Sequence, residues 1–198
     1  MASGIVFRAA LPTDAFALAE LSIMGGDGMY EFLLADFAPP EMLAGLMART
    51  MKQDEGGCCW RHCWVASEAG SVVGMINAFP AAWLRGEDRD VLPADRVQVL
   101  DPIDQAQDWE SFLINAVAVR PQARRQGLGH RLVQWATEQA AAGGFRRMSA
   151  NVWEDNAAAQ ALFGREGFEV QTRVSVPLHP ALLHVGSSLV MSRLVSSG

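Results

Sequence analysis

No apolar run in this 198-residue chain approaches the length needed to cross a bilayer, although half of its residues are hydrophobic. The opening MASGIVFRAALPTDAF lacks a basic segment followed by a long apolar one, so no secretory leader and no membrane partner are expected. Cysteine is scarce. The three, Cys58, Cys59 and Cys63, form an odd, clustered set that suits a reducing cytoplasm better than a disulfide framework. Basic residues are outnumbered 16 to 22 by acidic ones, and a net charge of −6 argues against nucleic acid as the main partner. Tyrosine occurs once, at Tyr30. No internal repeat or low-complexity tract is visible, and the length suits one domain with a sizeable core.

Cys58-Cys59-Trp60-Arg61-His62-Cys63 raises the question of a metal. Zinc sites usually draw on two ligand pairs separated by a longer loop, and here His130, His179 and His184 stand singly. The expectation is core or strand-edge cysteines and no metal site.

What the chain does have is a central stretch from Phe112 to Ala140, FLINAVAVRPQARRQGLGHRLVQWATEQA. Phe112 to Val119 is apolar on both alternating faces, as befits a strand inside a covered sheet. Pro121 has no N–H to extend the ladder. From Leu128 the spacing becomes helical, with Leu128, Leu132, Trp135, Ala136 and Ala140 along one stripe. The residues just before the helix are Arg124, Arg125, Gln126 and Gly127, none of them a good acceptor cap. Its first-turn N–H groups are therefore available to an anion, which the helix dipole and two arginines also favour. Gly127 and Gly129 let the backbone approach a bulky ligand such as a phosphate or pyrophosphate. The pattern is not GxGxxG, and no Gly-Lys-Ser/Thr follows, so dinucleotide and P-loop sites fit poorly.

Arg124-x-x-Gly127-x-Gly129 behind a strand ending in Val119-Arg120-Pro121 resembles the acetyl-CoA signature of the GNAT N-acetyltransferase superfamily. A second segment, EDNAAAQALFGREGFEV from Glu154 to Val170, resembles the family's Asn, small-residue helix and Gly-Phe pair. Asp155 or Asn156 would cap that helix, and Gly167 falls where a C′ glycine belongs. The resemblance extends from Ile5 to about Val195 and implies one α/β (α+β) domain over residues 1–198. It implies a mixed, mostly antiparallel sheet of about seven strands, splayed at strand four and flanked by helices.

The rest of the chain is placed on that frame. Ile5 to Ala9 is the first strand, and Thr13 or Asp14 would cap a helix carrying Phe16, Leu18, Leu21 and Ile23. Gly25, Gly26 and Gly28 break the chain before a short helical piece, Met29 to Ala38. A further helix runs from Glu41 to Gln53, with Met42, Leu46 and Met47 on one side. Cys63–Ser67 and Ser71–Phe79 form a hairpin around Glu68-Ala69-Gly70. Residues 81–108 read as an acidic insertion of low periodicity between strands three and four. It holds Glu87, Asp88, Asp90, Asp95, Asp101, Asp104 and Asp108. It is either a solvated loop or a rim that attracts a cationic acceptor. Arg146–Trp153, Phe168–Val176 and Ser188–Val195 are the remaining strands.

The resemblance implies acetyl-CoA as cosubstrate and direct transfer of acetyl to an amine, and with the acidic tract the expected acceptor is a primary amine of a small, cationic molecule. A pyrophosphate would lie on the N–H groups of Arg125, Gln126, Gly127, Leu128 and Gly129, beside His130, with Arg124 or Arg125 adding charge-assisted bonds. Backbone groups of Val117, Ala118 and Val119 would hold the pantetheine amides, and Asn156 would touch that arm. Phe163 stands where many family members carry a tyrosine that protonates the leaving sulfur, and phenylalanine has no hydroxyl to do so. Phe163→Tyr is expected to be neutral or faster, and Tyr30→Phe to change the rate little. No base announces itself: the candidates are Asn115, where many relatives carry Glu or Asp, Glu110 and Glu31. Two alternatives stay open, a non-catalytic acyl-CoA-binding or regulatory protein on the same fold and an acetyltransferase that modifies a macromolecule. The oligomeric state is left open, a homodimer included.

Overall fold

The computed structural model describes residues 4–86 and 92–195. Glu87, Asp88, Arg89 and Asp90 of the acidic insertion lie outside the described residues. The elements run β1 (Val6–Ala9), α1 (Ala15–Gly26), α2 (Met29–Leu34), α3 (Pro40–Met51), β2 (Cys63–Glu68), β3 (Ser71–Pro80), α4 (Ala94–Ala106), β4 (Phe112–Val119), α5 (Leu128–Ala142), β5 (Arg147–Trp153), α6 (Ala157–Arg165), β6 (Glu169–Ser175) and β7 (Ser187–Leu194). The strands hydrogen-bond in the order β1-β2-β3-β4-β5-β7-β6. β4 and β5 are parallel; β1–β2, β2–β3, β5–β7 and β6–β7 are antiparallel. This is the mixed seven-stranded α/β architecture expected above. The chain forms two compact units, one of residues 1–79 with 115–136 and one of residues 80–114 with 137–198.

In the first unit, the β2–β3 hairpin is set by its turn. Ala69 (φ 49°) and Gly70 (φ 83°) are both left-handed, the geometry that matches the twist of two antiparallel strands. β3 is buried along most of its length, and Leu18, Leu21, Leu43, Met47, Met51, Val65 and Met75 form the core beneath it. α3 buries Leu43, Met47 and Met51, spaced by four, so its inward face is one residue out of step with the expected Met42, which is exposed. α1 does not use Asp14 as a side-chain cap. Its carboxylate takes the Leu11 N–H at 2.8 Å and the Arg8 guanidinium at 2.6 and 2.9 Å, closing a short 3-10 turn over Pro12–Asp14. Phe16, expected on the apolar stripe of α1, is exposed. α2 ends at Leu34, short of the expected Ala38.

α1 also runs through Gly25 and Gly26 instead of breaking there, and stops only at Asp27 and Gly28, both left-handed. The two glycines answer to crowding. A Cβ on Gly25 would sit 3.1 Å from the Val117 carbonyl oxygen, and one on Gly26 would sit 2.5 Å from the ring of Tyr30. The first turns of α5 bury Leu128, Leu132, Val133 and Ala136. Trp135 stacks on Trp64 at 5.3 Å, and the Arg131 guanidinium lies 4.0 Å over the ring of Phe7.

In the second unit, Ala94–Ala106 of the insertion forms a helix where a loop was expected. Pro93 precedes α4, which buries Arg96, Val99 and Ile103 at helical spacing and carries Pro102 inside it. Gln107 and Ser111 then meet β5 through hydrogen bonds to Ser149, and the Asn151 Nδ2 donates to the Gln107 Oε1 at 2.9 Å. All the polar partners are internal, as buried amides and hydroxyls require. The parallel register of β4 on β5 begins alongside, with Phe112 opposite Met148 and Leu113 opposite Ser149.

Candidate active site

The junction between β4 and α5 is assembled in the first unit by a series of local anchors. The Arg120 N–H donates to the Val73 carbonyl at 2.8 Å, its Nε to the Val72 carbonyl at 3.1 Å, and its guanidinium pairs with Glu20 at 2.6 Å. Pro121–Ala123 makes one 3-10 turn, and Ala123 is buried with Val73 and Leu128. Arg124 then turns back, its Nε donating to the Val119 carbonyl at 2.9 Å. Arg125 (φ 62°) and Gly127 (φ 74°) are left-handed, a conformation that a β-branched residue adopts only with strain.

The Gly127 carbonyl accepts the Arg131 N–H at 3.2 Å, so Gly127 is the last residue before the helix proper. It has no side chain with which to cap Leu128, Gly129 and His130. The space where its Cβ would stand is open, with no atom within 4 Å. Glycine is therefore demanded here by backbone conformation and not by packing. Arg124, Arg125, Gln126 and Gly127 are all exposed, and the Arg125 side chain has no partner among the described residues. An exposed helix start with no self-cap and an unengaged guanidinium beside it has the chemistry to receive an anion. Of the two arginines, Arg125 is the one at liberty, because Arg124 is spent partly on Val119.

Along β4, the residues Asn115, Val117 and Val119 are half-buried while Ala116 and Ala118 are buried, so the three share the more open face. Asn115 is the polar member, and a chain of amides fixes it. The Asn77 Nδ2 donates to the carbonyls of Gly57 at 3.0 Å and His62 at 3.2 Å. Asn115 Nδ2 donates to the Asn77 Oδ1 at 2.9 Å and to the Tyr30 hydroxyl oxygen at 3.1 Å, and it passes the Cys58 sulfur at 3.7 Å. Asn77 is fully buried. Gly57 is held in place by shape, since a Cβ there would meet the Phe79 ring at 2.7 Å. Burial, with the charge of Arg61 adding to it, pulls the pKa of His62 down and keeps that side of the relay neutral. Burial pushes the Cys63 thiol far up, so the sulfur beside Asn77 is a thiol and not a thiolate.

The remaining candidates fall in several places. Glu31 follows Tyr30 on α2, half-buried, with its Oε2 buried and without a hydrogen-bond partner. Glu110 lies in the second unit, exposed, and approaches Arg147 only at 3.9 Å. Asn156, also in the second unit, caps α6, its Oδ1 accepting the Ala159 N–H at 2.9 Å. Phe163 is buried there against Phe168. Among the described residues no cluster of three or more His, Cys, Asp or Glu could hold a metal ion, and no helix is long and apolar enough to cross a membrane. Asn77, and the partnership of Tyr30 with Asn115, escaped sequence reasoning. The available signal was a lone asparagine in each of two otherwise apolar strands, SVVGMINAFP and FLINAVAV.

The model of the acetyltransferase (GNAT) family matches residues 28–168, and the chain belongs to that family. In sequence it is similar to the chloroplastic GCN5-related N-acetyltransferase 6 of Arabidopsis thaliana, 29% identical over 102 residues; the match spans 50% of this chain and 34% of that relative. Solved structures share the fold. An N-acetyltransferase from Staphylococcus aureus Mu50 matches with a TM-score of 0.70 and 20% identity over 95% of this chain and all of that one. An agmatine N-acetyltransferase matches with a TM-score of 0.68 and 17% identity over 96% and 99%.

Proposed function

We propose that this chain is an acetyl-CoA-dependent N-acetyltransferase whose acceptor is a primary amine of a small cationic molecule. The observation that carries the reading is the β4–α5 junction. Left-handed Gly127 opens the start of α5, and Arg125 stands unengaged beside it. In this reading the first-turn N–H groups and Arg125 hold the pyrophosphate, and the open face of β4 at Val117 and Val119 receives the pantetheine arm. Acetyl-CoA supplies a thioester carbonyl, and a backbone N–H of β4 stabilises the oxyanion that forms on it.

The acceptor must reach the carbonyl as a neutral amine, although a lysine-like amine has a solution pKa of about 10.4. The relay at Asn115 contains no carboxylate, so it holds the nitrogen without taking its proton; the proton leaves to solvent. The cationic acceptor class is supported by Glu31, whose unpartnered buried oxygen is an acceptor without a donor. It is also supported by the shared fold with an agmatine N-acetyltransferase. A second reading, a non-catalytic acyl-CoA-binding protein, draws on the same uncharged relay and on the missing hydroxyl at Phe163. Mass spectrometry of reactions with acetyl-CoA and agmatine, n-butylamine or an N-terminal peptide tests the choice. N-acetylagmatine as the dominant product supports the reading, acetylated peptide alone replaces the acceptor class, and no product with intact acetyl-CoA binding selects the binding protein.

A further inference from the structure

The direction of every amide in the relay is dictated by two backbone carbonyls. Gly57 and His62 both present oxygen to Asn77, at 3.0 and 3.2 Å, so the NH2 of Asn77 must face them and its Oδ1 must face β4. Turning Asn77 over would set three oxygens against one another in a site that is fully buried. The Asn77 Oδ1 in turn obliges Asn115 to present its own NH2, at 2.9 Å. The second hydrogen of that NH2 goes to the Tyr30 oxygen at 3.1 Å. Both donors of Asn115 are thus consumed, and what remains is its Oδ1, which has no partner among the described residues and is not buried. The protein spends four hydrogen bonds to fix the direction of one acceptor oxygen on the open face of β4.

We propose that Asn115 Oδ1 receives an N–H of the acceptor amine, and that Asn77 is the positioning residue that aims it. The inference rests on the acetyltransferase reading and refines it to a specificity rule. The acceptor oxygen needs a hydrogen on the nitrogen, so neutral primary and secondary amines are held, whereas a neutral tertiary amine or a quaternary ammonium of similar size is not. Because an amide cannot ionise, the binding step at this residue adds no ionisation of its own to the pH profile.

The test is a double-mutant cycle read by binding, so that turnover is not required. Agmatine and n-butylamine are titrated calorimetrically into the full chain saturated with CoA, for wild type, Asn77→Ala, Asn115→Ala and the double variant. Acetyl-CoA affinity and thermal unfolding are measured on the same samples. Loss of one aimed neutral hydrogen bond weakens amine affinity about tenfold in each single variant. The double variant matches Asn115→Ala, because Asn77 acts only through Asn115. Acetyl-CoA affinity stays within about twofold, well below the loss of one hydrogen bond. The quaternary N,N,N-trimethylbutylammonium, which has no N–H at any pH, binds the wild type no better than it binds Asn115→Ala. Should Asn77→Ala fail to fold, Asn77→Ser, which keeps a donor for one carbonyl, takes its place. Unchanged amine affinity in the single variants, losses that multiply in the double variant, or no amine binding by folded wild type each overturn the proposal. Release of free thiol from acetyl-CoA with agmatine, measured on the same material, shows separately whether the acetyltransferase reading stands.

Discussion

The Phe168 N–H donates to the Phe163 carbonyl at 3.0 Å, and the two rings meet edge to face with centroids 5.1 Å apart. With the Gly167 N–H on the Gly164 carbonyl at 3.1 Å and Gly167 at φ 79°, this is a helix stop with its accompanying apolar contact. Phe163 is therefore part of what ends α6, whatever else it touches. Phe163→Ala should cost about 3–5 kcal/mol of stability. Gly167→Ala should cost about 1–2 kcal/mol, because alanine must take the left-handed conformation although space for its Cβ is open. Denaturant unfolding of the two variants checks both values, and an unaffected Phe163→Ala would remove the ring from the account of the helix stop.

Arg125 and Gly127 separate two kinds of loss at the start of α5. Arg125→Ala should weaken acetyl-CoA binding by about 1.5–3 kcal/mol, the range for a bond to a charged group. Arg124→Ala should cost less affinity and more stability, since its Nε is tied to the Val119 carbonyl. Gly127→Val should abolish binding, because valine takes the left-handed conformation only with strain and its side chain would fill the open space at the helix start. Calorimetry beside circular dichroism reads each one. Full affinity in both Arg125→Ala and Gly127→Val would place the cofactor elsewhere.

The Arg147 guanidinium, at 2.6 Å, holds the Asp108 carboxyl below the usual carboxylate range, against the opposing effect of burial. The unfolded pKa is about 3.9. The stabilisation from this lowered value is fully present above that pH and is lost as pH falls through the folded-state value. Asp108→Asn should therefore lower stability at neutral pH and flatten the acid limb of the stability profile. Asp108 is consequently a poor steering charge. Asp101, exposed on α4, is the better one, and Asp101→Asn with Asp104→Asn should reduce the salt dependence of amine capture. Thermal unfolding from pH 3 to 7 and kinetics across ionic strength test the two parts.

The β4–α5 junction was legible because independent local signals agree there. A strand apolar on both faces, Pro121 ending its ladder and glycine at a left-handed position all lie within one short stretch. The insertion was not, because α4 buries a charged residue, Arg96, on its inward face and carries Pro102 within the helix, which blur both the apolar period and the helix propensity. Gly25 and Gly26 read as breakers because glycine lowers helix propensity. Their real requirement, room for the Val117 peptide and the Tyr30 ring, comes from chain segments distant in sequence. The same holds for the relay. Asn77 and Tyr30 lie 38 and 85 residues from Asn115, so no local pattern joins them. Neighbouring strands could be inferred, but the direction of an amide depends on which carbonyls face it.

The most direct test of the central claim is release of free thiol from acetyl-CoA by the purified chain, followed against agmatine, n-butylamine and no added amine. The account predicts saturable, amine-dependent thiol release with agmatine, abolished in Gly127→Val and reduced at least about tenfold in catalytic efficiency by Arg125→Ala. Thiol release that is the same with and without amine, or none at all from a chain that binds acetyl-CoA, would contradict it.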